Sequence, residues 1–114
     1  MSGITTEILD TSRGRPAAGI DTTLECHDPS GGWQLVGRGL TGADGRLDTL
    51  TRADRPPSPG VYRLVFDTGP YFAAHAQRTF YPRIVVVFEV APGDVQHHLP
   101  LLISPYGYST FRSA

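Results

Sequence analysis

Lysine is absent from this 114-residue chain; all ten basic residues are arginine. A Schiff-base mechanism, which needs a lysine amine, is therefore excluded. The cationic chemistry that remains is the planar, bidentate guanidinium. Cysteine is nearly absent too. Cys26 alone cannot form an internal disulfide, and a thiolate zinc site needs several cysteines. Neither sign of charge is in excess: ten basic and eleven acidic residues leave a net charge of −1. No basic surplus exists to neutralise phosphates, so no nucleic-acid partner is expected. No run approaches the ~18 apolar residues of a membrane span, and no membrane partner is expected either. Met1-Ser2-Gly3-Ile4-Thr5 has neither a basic n-region nor an apolar h-region. These absences predict a small, soluble, cytoplasmic protein.

Chain breakers, by contrast, are plentiful: 13 glycines and 10 prolines. They leave little room for long helices and favour short strands joined by turns. With 39% hydrophobic residues, one packed core is within reach, and the chain is read as a single domain over residues 1–114. Alternating runs are found at Thr5 to Asp10, Ile20 to His27, Trp33 to Thr41, Val61 to Phe66, Ile84 to Val90, Val95 to Ile103 and Tyr106 to Phe111. Gly42-Ala43-Asp44-Gly45 is a tight-turn signal, and Arg52 to Gly60 is a proline-rich loop. Strands at this spacing predict a β-sandwich. Tyr71 to Gln77 has helical composition, with Asp67 or Thr68 as N-cap and Pro70 near the first turn.

Strand parity places the polar residues. Leu99, Leu101 and Ile103 share a face with Val95 and His97, so His98 points the other way. Adjacent His97 and His98 face opposite sides and cannot bind one metal ion. In the first strand Thr5, Glu7 and Leu9 share one face, and Thr6, Ile8 and Asp10 share the other. Neither set is wholly polar, which suggests core on one side and a partner subunit on the other. Cys26 reads as a small core residue rather than a nucleophile.

A family resemblance is carried by the tail, Leu99-Pro100-Leu101-Leu102-Ile103-Ser104-Pro105-Tyr106-Gly107-Tyr108-Ser109-Thr110. Ile8-Leu9-Asp10 with Gly14-Arg15-Pro16-Ala17, Asp44-Gly45-Arg46 and Tyr62 to Phe72 add to it in order. Together they resemble the transthyretin-like proteins, most of which are 5-hydroxyisourate hydrolases of urate breakdown in purine metabolism. The resemblance implies an all-β, eight-stranded sandwich with one short α-helix. It implies a homotetramer of two dimers with sites at the subunit interface, and a small-molecule substrate. No cofactor and no metal are implied. The hydrolases open the six-membered ring of 5-hydroxyisourate by adding water to its amide, using two histidines, an arginine and a C-terminal Tyr-Arg-Gly-Ser.

Matched position by position, Arg46 falls on the family arginine, His98 on the second histidine and Arg112 on the arginine of the tail. Glu7 stands at the first histidine, Phe111 at the tail tyrosine, and Ser113-Ala114 at the final Gly-Ser. Glu7, Arg46 and His98 are thus the candidate catalytic residues. Arg112, Ser113, Phe111, Leu9 and Thr5 are the candidate substrate-binding residues. An ordinary glutamate, near pKa 4.3, is an anion where an ordinary histidine, near 6.5, can donate, accept and carry positive charge. Glu7 can pair with Arg46, form a dyad with His98, or serve as the base that activates water. Two alternatives to the urate-pathway hydrolase follow: a paralogue acting on another cyclic substrate, or a non-catalytic small-molecule binder.

Overall fold

A computed structural model describes residues 3–52 and 54–113. Ala114, one of the departures from the family tail, lies outside the described residues. The chain runs β1 (Gly3–Asp10), β2 (Arg15–Pro16), β3 (Asp21–His27), β4 (Trp33–Leu40), β5 (Arg46–Leu47), β6 (Gly60–Asp67), α1 (Gly69–Ala74), β7 (Ile84–Val90), β8 (Gln96–Ser104) and β9 (Gly107–Thr110). One sheet has the order β2-β1-β8-β9, with β5 also pairing β1; the other has the order β4-β3-β6-β7. The result is a β-sandwich with one short helix, as expected, with nine strands among the described residues where eight were expected. The two-residue strands β2 and β5 are additions: pairings this short leave no alternation to read in a sequence.

The alternating pattern fixes which side of each strand is buried. Ile4, Ile8, Leu101 and Ile103 face inward from one sheet, and Leu24, Leu64, Phe66, Ile84 and Val90 from the other. Each such side chain contributes roughly 1.5–3 kcal/mol by leaving water. Val85 and Val87 are exposed on the far side of β7, as the parity of Ile84, Val86, Phe88 and Val90 requires. The strand predicted from Val95 begins one residue later. Val95 is exposed, and its carbonyl accepts the Gly3 N–H at 2.7 Å.

The helix is shorter than Tyr71 to Gln77 and starts earlier, at Gly69. Thr68 is the N-cap residue but makes no side-chain cap bond; its hydroxyl donates to the Tyr81 carbonyl at 2.7 Å instead. Ala76, at φ 55°, takes the left-handed conformation that stops a helix. Tyr71 and Phe72 are buried from α1. The Tyr71 hydroxyl donates to Asp10 Oδ2 at 2.7 Å, while Asp10 Oδ1 accepts from the Ser12 amide and hydroxyl and the Arg13 amide. Burial opposes ionisation of Asp10, but the bonds from Ser12, Tyr71 and Arg13 outweigh it and hold the carboxyl below its usual range. That cluster anchors the end of β1, the strand that carries the candidate site. No helix among the described residues is long and apolar enough to cross a membrane.

Candidate active site

Two strand pairings assemble the site on the outer face of the five-stranded sheet. β1 and β8 run parallel with Thr5 opposite His98 and Glu7 opposite Pro100. On its other edge β1 pairs antiparallel with β5, placing Glu7 directly opposite Arg46. Opposed residues share a face, so Thr5, Glu7, Leu9, His98 and Arg46 lie on one surface while Ile4, Thr6 and Ile8 point into the core. The parity expected for His98 and for β1 is what the fold shows.

The turn before β5 explains how Arg46 gets there. Gly45 has φ 79°, its carbonyl accepts the Ile8 N–H at 2.8 Å, and a Cβ on it would lie 2.4 Å from the Ile8 carbonyl oxygen. Only glycine combines that dihedral with that approach. Asp44 Oδ1 accepts the Arg46 N–H at 3.0 Å and closes the turn. The guanidinium of Arg46 is exposed, and no ion pair joins it to Glu7 among the described residues.

His98 is held at both ring nitrogens. Nδ1 lies 2.8 Å from the Thr5 hydroxyl, and Nε2 lies 3.7 Å from Glu7 Oε1. The side chains of His98 and Glu7 are 13% and 27% exposed, so the pair is partly screened yet reachable. Of the partners open to Glu7, His98 is within ion-pair distance and, among the described residues, Arg46 is not. Thr5, one of the candidate substrate-binding residues, has its hydroxyl on the imidazole. Leu9, opposite Leu102, adds an apolar patch beside the charged group.

The tail returns to the same strand. The Ser113 N–H donates to the His98 carbonyl at 2.8 Å, which brings residues 111–113 alongside β8. Phe111 is 54% exposed. Arg112 reaches toward the start of β8: Nη2 donates to the Gln96 carbonyl at 3.2 Å, and Nη1 is 3.5 Å from Asp94 Oδ2. Asp94 was not singled out from the sequence, because an aspartate in an Ala-Pro-Gly-Asp turn is the commonest of turn residues.

Asp94 also faces His97, at 3.6 Å. His97 is only 2% exposed, and neither ring nitrogen has a hydrogen-bond partner among the described residues. Burial first, and then the charge of Arg112, push its pKa below the ordinary value, against the pull of Asp94. The native state thus favours neutral His97, and the unfolded chain binds the extra proton. The contribution of His97 to stability is full above about pH 6.5 and is lost as pH falls through the folded pKa. His97→Phe keeps a ring in the core and removes the titrating group. Thermal unfolding at pH 7.5 and 5.5 should show a smaller acid-induced fall in Tm for His97→Phe than for the parent chain. Equal falls would remove His97 from the account.

Comparison with known proteins places the whole fold in a family. The family model described as HIUase/Transthyretin family matches residues 4–113. The 5-hydroxyisourate hydrolase of Salmonella dublin is 39% identical over 111 residues, covering 97% of this chain and 80% of that one. Among solved structures, transthyretin from Sparus aurata superposes with a TM-score of 0.91 at 32% identity, covering 99% of this chain and 97% of its own. The Klebsiella pneumoniae 5-hydroxyisourate hydrolase superposes with a TM-score of 0.84 at 33% identity, with both chains covered completely. By whole-chain sequence match and by superposition alike, this chain belongs to the HIUase/Transthyretin family.

Proposed function

We infer that the chain is a 5-hydroxyisourate hydrolase that opens the cyclic amide of its substrate with water, in urate degradation. The fold alone does not decide this, because a transthyretin and a hydrolase superpose on it about equally well. The observation that carries the reading is His98 fixed between Thr5 and Glu7 on the face that also bears Arg46. A carrier needs no oriented imidazole. The whole chain, residues 1–114, is read as one domain built around this site.

The chemistry follows from the placement. An oxygen atom can sit within hydrogen-bond reach of both His98 Nε2 and Glu7 Oε1. His98 Nε2, within reach of that oxygen, takes the proton of the attacking water. Glu7 stabilises the imidazolium that forms. The water oxygen bonds to the amide carbon, and the resulting oxyanion lies within the field of Arg46, the cation on the same surface. The C–N bond then breaks, and the imidazolium returns its proton to the leaving nitrogen. Phe111 and Ser113, alongside β8, are assigned to substrate binding, as is Arg112 once it is released from Asp94 and the Gln96 carbonyl.

One chain supplies only a sheet face, whereas a hydrolytic site needs walls that exclude bulk water. We assign the second wall to another copy, in a homotetramer of two dimers with sites at the interface. Adding pure protein to freshly generated 5-hydroxyisourate should speed the ultraviolet decay well beyond the spontaneous rate, and light scattering should give a tetramer mass. An unchanged decay would sink the hydrolase reading. A monomer at micromolar concentration would sink the interface site.

Glu7 supports a second reading, a paralogue for another cyclic substrate. A carboxylate at the position of the family's first histidine changes which substrate groups can be held there. Turnover of 5-hydroxyisourate near the uncatalysed rate by an intact tetramer would favour it.

A further inference from the structure

A cavity of about 540 Å³ lies between β3, β4, the start of β6 and the loop leading from β5. None of Glu7, Arg46 and His98 lines it. Leu50 and Tyr62, almost fully buried, and half-buried Cys26 form part of its floor, and Pro56 stands in its wall. The local sequence accounts for the hollow. β5 stops after two residues, and the chain leaves the sheet. Gly37 lets it press close, since a Cβ there would sit 2.0 Å from the Leu50 carbonyl oxygen. Beyond that contact the prolines of the 52–60 loop have no N–H with which to pair back onto β4. The loop therefore stands off the sheet rather than closing on it.

The mouth is cationic. Arg38, Arg52 and Arg55 contribute to the lining, and the side chains of Arg38 and Arg52 are 65% and 69% exposed. Arg38 pairs with Asp21 and Arg52 with Asp54. Arg55 has no ion pair among the described residues. Arg38, on which Asp67 also acts, and Arg52 are thus held by carboxylates, and Arg55 is the cation of the three left for a ligand; among the described residues no carboxylate lines the cavity itself. Nor does the floor supply an anion. The Tyr62 hydroxyl donates to the Ser58 carbonyl at 2.7 Å, and its pKa is pushed up to about 12 by burial and then by Cys26.

We propose that this cavity is a second ligand site, separate from the catalytic face, for a small organic anion with a flat apolar body, such as an aromatic carboxylate. The volume is within the range of small-molecule sites, roughly 300–1,000 Å³. The apolar floor takes the ring, and Arg55 at the mouth takes the carboxylate, the geometry for which guanidinium is suited.

Cys26, the chain's single thiol, reports occupancy directly. With the full-length protein and 2-naphthoate as probe, saturating ligand should slow alkylation of Cys26 by iodoacetamide at least fivefold. The neutral analogue 2-naphthamide should protect far less. Arg55→Ala should weaken 2-naphthoate binding about tenfold while leaving 5-hydroxyisourate turnover unchanged. Amide shifts of Gly37, Leu50 and Tyr62 during the titration give the same information if the thiol alkylates slowly. The proposal is overturned by an absence of both protection and shifts at millimolar 2-naphthoate. Equal effects of the amide, or Arg55→Ala binding as tightly as the parent, overturn it as well. So does 2-naphthoate that inhibits turnover while Cys26 and these amides stay unaffected, which places the ligand on the catalytic face.

Discussion

His98→Ala is expected to lower kcat/KM for 5-hydroxyisourate about a thousandfold while leaving assembly and Tm nearly unchanged. The magnitude is that of losing a positioned general base, typically 10²- to 10⁴-fold. The small structural effect follows from the direction of the side chain. His98 stands on the outer face of β8, while its neighbours Leu99 and Leu101 fill the core, so truncating it opens no cavity there. The strand itself is secured independently of the ring. It pairs with β1 along its length, and the Thr6 hydroxyl donates to the Leu99 carbonyl at 2.7 Å. What the ring loses is its contacts with Thr5 and Glu7, both of them directed at the reacting face. The progress curve of 5-hydroxyisourate decay measures the effect. A loss of less than tenfold would show that another group removes the proton.

The outward direction of His98 was legible because a period of two leaves no choice once Leu99, Leu101 and Ile103 are placed inside. The Gly42–Gly45 turn was legible for a similar reason: a glycine demanded by a positive φ appears in the sequence as the turn itself. The partner of Glu7 was not legible. It depends on β1 lying parallel to β8, a pairing between residues more than ninety positions apart, and on a register that alternation within one strand cannot set. β5, which brings Arg46 across from Glu7, is too short to leave any pattern. The helix failed at its end for another reason. Ala76 is a good helix former by propensity, yet it turns left-handed where the Gln77 N–H closes back on the Phe72 carbonyl at 2.9 Å. His97 was put on the core face correctly, but nothing in its neighbours signals that both ring nitrogens end without a partner. The cavity beneath the proline-rich loop was invisible as well. It depends on how far that loop stands from β4, which composition does not encode.

Glu7→Gln is expected to cost between about tenfold and a hundredfold in kcat/KM, with Glu7→His no better. By the resemblance, Glu7 is the residue that departs furthest in chemistry from the family pattern, so the direction of the change is informative. An anion on a half-buried face is unfavourable unless something pairs with it. Arg46 is directly opposite on β5 but makes no ion pair with Glu7 among the described residues; the carboxylate lies instead 3.7 Å from His98 Nε2. In the proposed mechanism its charge there stabilises the imidazolium produced when His98 takes the proton from water. Glutamine keeps the shape and the reach but not the charge, so the loss should appear mainly in kcat. Histidine would restore the family residue at this position while removing the anion from a site whose other groups are arranged around it. If Glu7 were a passive substitution in an ordinary hydrolase, Glu7→His would instead raise turnover of 5-hydroxyisourate, and Glu7→Gln would change it by less than about threefold, well under 1 kcal/mol of transition-state stabilisation. Steady-state kinetics of the two variants beside the parent chain separate these outcomes, because the dyad requires both substitutions to lower kcat and a passive glutamate requires that neither does.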